Sequence, residues 1–386
     1  IAYSKNQMSV NNKAIFILGF VGLVFSFSNL EFGYEVGKTI WLQWWVRVLT
    51  ISLLISILKN KARVKLKPLS KRVYLSLALF LIAALIAAAL GVDWQQSLWG
   101  NYYRGDGLLT WLHIITLSFL PSWIFSKKEM KQILPTAASA AGLLLLTKIV
   151  FPNFMNWVAI GFGNANIEAG FLVIITPLIL FGLRKLHWGF VGVSFLAILV
   201  TTIYLQAWGS VVSLILGLIM YYALSIKGLR KWTVAIPVAA LIVGVMGLMF
   251  QQPVANSRFT ESRMRIFHKL GRAVWQRPVL GWGWANVDAA FESIDWPVAV
   301  QKDAYVDNAH AQLLEFAIAG GLVGLSIYLL FLSGVYREAI NSLKIDDEWG
   351  KSLLLVCLLY FFHSQTNVVS VAESAVFWIS LGLLLD

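Results

Sequence analysis

Apolar runs about as long as a bilayer core is thick recur along the chain, each ended by a short polar segment. A helix needs roughly 20 mainly apolar residues to cross the hydrocarbon. On that criterion the pattern predicts twelve helices, over about 13–30, 38–58, 72–92, 107–126, 132–151, 165–183, 187–206, 208–226, 232–251, 310–336, 351–365 and 368–385. Only "QAWGS" separates the seventh from the eighth, and a polar break around Ser364 to Asn367 separates the last two. The expected fold class is therefore an all-α polytopic membrane protein. It divides into 1–251 with nine spans, a loop over 252–309, and 310–386 with three more.

Composition agrees. The 386 residues are 59% hydrophobic and 13% charged, about half the charged share of a soluble domain. The lone Cys357 lies in an apolar run, so no disulfide framework is expected. The chain begins at Ile1 rather than Met. Its first apolar run is long enough to remain as a span rather than serve as a cleaved signal.

The net charge of +12 raises nucleic acid as a partner, and the placement of the charges argues against it. With the N-terminus in the cytoplasm, the even loops face inward. They hold "KNKARVKLKPLSKR", "SKKEMK", "RKLH", "KGLRK" and the Arg337–Lys351 stretch; with the N-terminal lysines, that is 20 of the 31 Lys and Arg. This is the positive-inside bias, and it puts both termini in the cytoplasm. The basic charge then faces anionic lipid and cytosol, so the expected partner is the bilayer and not nucleic acid.

The loop from Gln252 to Ala309 breaks that bias. It lies outside, yet six basic residues fall between Arg258 and Arg277 with Glu261 as the single acid among them. Such a field attracts an anion, and phosphate is the obvious one beside a membrane. "FTESRMRIFHKLGRAVW" reads as an amphipathic helix that carries Arg263, Arg265, Lys269 and Arg272. Pro278 ends it, Gly281 and Gly283 make a turn, and Trp282 and Trp284 suit the membrane interface. Two readings stand here: an interfacial helix whose arginines touch lipid headgroups, or a helix with at least one Arg gripping a diphosphate, since a guanidinium binds two phosphate oxygens and never deprotonates.

"DNAHAQLLEFAIAGGLVG" follows from Asp307 to Gly324. Asp307 or Asn308 is a candidate helix cap. His310 is then expected in the first turn, where the helix dipole favours the neutral imidazole that a general base needs, while Asp303 and Asp307 favour the protonated form. The alternative is a capping or interface histidine. Gly320 and Gly324 form a GxxxG that permits close helix packing.

Through these residues the chain resembles the O-antigen ligase and polymerase superfamily of membrane glycosyltransferases (Wzy-C or WaaL-like). In that family a catalytic His is followed by a polar residue, nine residues and GxxG; here the sequence is His310, Ala311, nine residues, then Gly321-Leu-Val-Gly324. The family's Arg fifteen residues before Pro-x-x-Gly-x-Gly corresponds to Arg263 before Pro278. "GNANIEAGFLVIITPL" resembles a family segment that opens a helix, with Asn164 and Asn166 retained, and "SLWGNYYRGDGLLTWL" resembles another, with Arg104 and Gly107. The resemblance runs from about residue 95 to the end. Ala311 departs from the usual polar neighbour. "QAWGSVVSL" lacks the family's second Arg, for which Arg265 and Arg104 are the candidate substitutes.

The resemblance implies a GT-C-like fold and transfer of a glycan from a polyprenyl diphosphate carrier to a hydroxyl on the outer face of the inner membrane. The acceptor would be a glycolipid, a growing glycan or a protein. His310 would take the acceptor proton, and Arg263, helped by Arg265, would stabilise the departing diphosphate. Arg104, Asn164, Asn166, Lys269 and Arg272 are further candidates for substrate contact. No metal or cofactor is expected, as no DxD pair and no ligand-spaced His/Cys cluster occurs. The rival from another class is a lipid-glycan transporter, for which twelve spans with both ends inside is a common plan.

Other polar residues within or near the spans carry two readings each. Arg47 is either a functional intramembrane charge or one held by a buried partner. Glu168 and Lys148 make a structural ion pair or contact the site. His363, Gln365 and Asn367 line an acceptor cleft or satisfy a re-entrant backbone. Trp99, Tyr102 and Tyr103 read as interface aromatics or sugar-stacking rings, His113 and His187 as structural, and His268 as a bystander on the basic helix.

Overall fold

In the computed structural model, residues 10–25, 34–60, 70–153, 160–184, 187–226, 232, 263–295, 305–343 and 347–385 are described. The span expected over 232–251, the loop start at 252–262 and the segment holding Lys302 and Asp303 lie outside these. Every regular element among the described residues is a helix, in this order: α1 (Val10–Gly22), α2 (Tyr34–Asn60), α3 (Lys71–Ala89), α4 (Trp94–Trp99), α5 (Leu108–Ile124), α6 (Lys127–Val150), α7 (Ala165–Leu183), α8 (Trp188–Tyr204), α9 (Trp208–Ser225), α10 (Arg263–Gln276), α11 (Val287–Glu292), α12 (Gln312–Ser342), α13 (Glu348–Ser364) and α14 (Val371–Leu384). Six are long and apolar enough to cross a membrane: those at Glu35–Leu58, Lys71–Ala89, Lys127–Val150, Ala165–Leu183, Trp208–Ser225 and Gln312–Asn341. Shorter apolar helices run over Asn12–Gly22, Leu108–Ile124, Trp188–Tyr204 and Val371–Leu384. The expected spans in these regions fall on helices, with ends shifted by a few residues.

The interior is built from α7, α13 and α14. Helix α13 is buried from Trp349 onward and α14 nearly throughout, as expected of helices that are apolar on most sides. Helix α7 packs between α6 and α13, α14 packs on α5, and α3 packs along α12. Peripheral helices turn large apolar side chains outward, including Leu58, Val193 and Trp188, as a lipid-facing surface requires. Capping boxes start α6 (Ser126 with Glu129) and α14 (Ser370 with Glu373), each satisfying two backbone N–H groups that have no helical partner.

Helix α12 is not continuous. Gly321 takes φ 65° and ψ −170° inside it, which frees carbonyls one turn earlier. The turn after α10 fills the gap. Trp282 N–H donates to Ile318 O (2.7 Å), Gly283 N–H to Ala319 O (3.1 Å), and Leu322 N–H donates back to Pro278 O (2.7 Å). Exposed backbone groups at membrane depth need such partners. A Cβ on Gly281 would collide with the Ile318 carbonyl, and one on Gly321 with Val279 O. The expectation that Gly320 and Gly324 mediate close helix packing is corrected: a Cβ on either meets nothing within 4 Å. The glycine that matters is Gly321, because only a residue without Cβ accepts both that φ and that approach.

The tryptophans of the same turn are also corrected. Trp282 and Trp284 are buried rather than at an interface. Their indole N–H groups donate to Ala273 O (3.0 Å) and Ala84 O (3.2 Å).

Candidate functional site

A cleft of about 70 Å³ opens where α2, α5, α12 and the α13–α14 break meet. Its wall is partly aromatic. Trp111, Trp284 and Phe316 contact one another with ring centroids 5.4–5.5 Å apart. Its polar lining comes from Glu35, Arg104, Asp106, Asn308, Gln312, Glu315 and Asn367, among others.

The turn between α4 and α5 delivers Arg104 and Asp106. Asn101 folds it by accepting from Tyr103 N–H (2.8 Å) and Arg104 N–H (3.2 Å) through its side-chain oxygen. Thr39 Oγ1 donates to Arg104 O (2.7 Å), fastening the turn to α2. The Arg104 guanidinium donates to Asp307 Oδ2 at 2.8 Å. Burial works against its charge, but Asp307, Asp106 and Glu35 outweigh that and hold it above its ordinary value. Burial pushes the Asp106 carboxyl up to about 6, against the pull of Arg104. Its Oδ1 is shut off from solvent with no hydrogen-bond partner, as is Glu35 Oε1. The other oxygen of Glu35 accepts from Ser370 Oγ (3.1 Å) and Val371 N–H (3.2 Å).

The segment before α12 lies between this cleft and α10. Val306, Ala309 and Ala311 join an apolar cluster with Ile266, Phe267, Leu270 and Val274 of α10, while Asn308 and Gln312 line the cleft. His310 sits between them. It does not occupy the first turn of α12, as expected from the sequence. The cap of α12 is Ala311, and His310 precedes it at φ 53°. The reason is local: Asn308 Oδ1 accepts from His310 N–H (2.8 Å) and Glu315 Oε2 from Ala309 N–H (2.7 Å), giving the backbone an alternative to the helix. The left-handed conformation itself is uncommon for a residue with a side chain and costs on the order of 1 kcal/mol. Ala285, on the cleft wall, also has positive φ (56°).

The remaining candidates separate into groups. Arg263 begins α10, and its side chain lies outside the described residues. Arg265 and Lys269 are buried, with their cationic groups 5.4 Å and 4.0 Å from the Phe291 ring centroid. Arg272 is exposed. Asn164 caps α7, accepting from Asn166 N–H (2.9 Å); neither asparagine lines the cleft. His268 is buried on α10.

Of the two-way readings, Arg47 has a polar partner, donating to His113 Nε2 (3.2 Å). Glu168 and Lys148 do not pair; Glu168 accepts from Phe162 N–H (3.1 Å), and Lys148 donates to Pro152 O (2.6 Å). Gln365 serves backbone, accepting from Leu313 N–H (3.0 Å) at the start of α12. Asn367 lines the cleft. His363 and Glu373 form a fully buried pair at 3.3 Å. Trp99 and Tyr102 are exposed, Tyr103 contacts Tyr305 with centroids 5.6 Å apart, and His187 caps α8.

Sequence reasoning missed Glu35, Asp106, Glu315 and Trp111. Asp106 stood two residues from Arg104 in a segment already singled out, and Glu315 faced one turn into α12. No group of three or more His, Cys, Asp or Glu arranged to hold a metal occurs among the described residues.

All-helical architecture with six membrane-length apolar helices makes this a helical membrane protein. No known family model matches the chain, and no curated protein matches it.

Proposed function

We propose that the protein is a membrane glycosyltransferase that moves a glycan from a polyprenyl diphosphate carrier to an acceptor hydroxyl. The supporting observation is convergence. Three segments that carry the resemblance to O-antigen ligases and polymerases meet at one place: 97–112 supplies Arg104, Asp106 and Trp111, the Pro278–Gly283 turn docks its backbone on the break at Gly321, and 307–316 supplies Asn308, Gln312 and Glu315. The fourth segment, with Asn164 and Asn166, stands apart and adds nothing to this support.

In this reading the protein has twelve spans, the loop carrying α10 is extracytoplasmic, and the enzyme works on the outer face of the inner membrane. His310 is the general base for the acceptor hydroxyl. Its proton moves to the imidazole as the oxygen attacks the anomeric carbon and the bond to the diphosphate oxygen breaks. Arg263, with Arg265, stabilises the negative charge left on the diphosphate. Lys269 and Arg272 extend that basic face. Arg104, held by Asp307, positions the turn that carries His310 rather than gripping the donor. Positioned base catalysis contributes about 10²–10⁴ in rate, and one preorganised charged donor on the order of 3 kcal/mol.

The test incubates the purified chain with a polyprenyl-diphosphate glycan and separate glycolipid, glycan and protein acceptors, with the product identified by mass. Transfer by the wild type, lost in both His310→Ala and Arg263→Ala at unchanged membrane insertion, is the expected result. Carrier-linked glycan that crosses a vesicle membrane without any new glycosidic bond would replace this reading with the transporter.

A further inference from the structure

We infer that the cleft between α2, α5 and α12 binds an uncharged sugar ring and discriminates against phosphorylated or acidic sugars. The inference deepens the transferase reading by assigning this cleft to the acceptor, and it rests on that reading only for the word acceptor.

Glu35 and Asp106 line the cleft against a single guanidinium, Arg104, whose nearest carboxylate is Asp307 just outside the lining, at 2.8 Å. Among the described residues lining it, an anion entering there meets carboxylates and no cation but the Arg104 already paired with Asp307. Like charges held close in a poorly solvated site repel strongly. The cleft is thus opposite in character to α10, which carries Arg263, Arg265, Lys269 and Arg272.

Hydrogen-bonding capacity comes next. Glu35 Oε1 and Asp106 Oδ1 are closed to solvent and have no partner. A buried carboxylate oxygen without a donor is costly, and these two come from different helical regions yet border the same space. What they lack is a pair of O–H donors. A sugar ring presents adjacent hydroxyls, and a hydroxyl donating to a carboxylate makes the stronger, charge-assisted kind of hydrogen bond. The amides of Asn308, Gln312 and Asn367 add further donors and acceptors at the lining.

Trp111 and Trp284 form a continuous aromatic wall with Phe316. Such a wall covers the C–H face of a ring while the carboxylates take its edge, which is the mixed apolar and polar lining of small-molecule sites. A purely structural ion network would close its charges on one another, and these oxygens are left without a donor.

The test titrates the full chain in phosphatidylcholine nanodiscs with methyl glucoside, methyl galactoside and methyl mannoside, and with the 6-phosphate of each, by calorimetry or saturation-transfer NMR. At least one uncharged glycoside is expected to bind, and its phosphate at least tenfold more weakly. Asp106→Asn is expected to weaken the uncharged ligand roughly tenfold and to narrow the gap to the phosphate. Glu35→Gln is expected to do the same, but Glu35 also holds the start of α14. If that variant misfolds, Asp106→Asn alone decides, because Asp106 Oδ1 accepts no hydrogen bond that the amide would break. No glycoside binding, equal binding of both classes, or indifference to Asp106→Asn would overturn the inference. Run beside the transfer assay, the outcomes separate. Sugar binding without transfer removes the transferase and leaves the cleft assignment, whereas transfer that ignores Asp106→Asn and accepts phosphorylated sugars equally removes the cleft assignment alone.

Discussion

Helix α13 has charged clusters at both ends, and they differ in one respect. At its start, Glu348 is closed: Tyr221 donates to Oε2 at 2.7 Å, Arg184 reaches the same oxygen at 3.1 Å, and Lys351 donates to Oε1 at 2.9 Å. One carboxylate there has three donors. At its finish, beside Ser364 and Asn367, carboxylates outnumber cations and two of their oxygens have no donor. Buried polar groups in native structures are nearly always paired. A saturated cluster stabilises the fold, while an unsaturated one beside a cleft is where a ligand belongs.

The sharpest way to break this contrast is His310→Ala, at the open end. Glycan transfer should fall by about 10²–10⁴, measured as turnover with carrier-linked glycan, while thermal stability holds. Loss of stability with retained turnover would make the open end structural. Next in size is the backbone joint that supports that end. Gly281→Ala places a Cβ against the Ile318 carbonyl at φ 71°, and should destabilise by on the order of 3 kcal/mol. Gly320→Ala, with open space around it, should be neutral or slightly stabilising in the same melting experiment. Comparable in size to the Gly281 effect, at roughly 1.4 kcal/mol per pKa unit, is one of pH. Burial raises Asp106 from 3.8 to about 6, so its ionisation opposes folding, and stability without ligand falls as pH rises through that window. Asp106→Asn should therefore melt higher than wild type above about 6, with the difference shrinking toward 3.8. At the closed end, Glu348→Ala should lower stability by about 1–2 kcal/mol by leaving two cations unpaired in a partly exposed setting, and should leave transfer and sugar binding intact.

Much of the architecture was legible in the chain. The apolar run at 165–183 coincides with α7, and the loop helix expected from Phe259 begins within the described residues at Arg263. Periodicity reads such elements because burial and lipid contact act on each helix separately. The break at Gly321 was not legible, because it exists only where the Pro278–Gly283 turn supplies its partners. His310 was recognisable as a residue of interest, but its conformation was not, since Asn308 and Glu315 compete with the helix for its neighbours. The acidic side of the cleft escaped notice because Glu35, Asp106 and Glu315 are far apart in sequence and none belongs to a motif of like residues. Their meaning comes from converging on one space with too few donors.

The most direct measurement is the site of attachment of a photoreactive, uncharged methyl glycoside cross-linked to the full chain in nanodiscs. The contrast between the two ends predicts labelled peptides from 101–111 or 305–316, lost on competition with the unlabelled glycoside. Specific labelling confined to the closed end, at peptides holding Arg184, Tyr221 or Glu348, would contradict it.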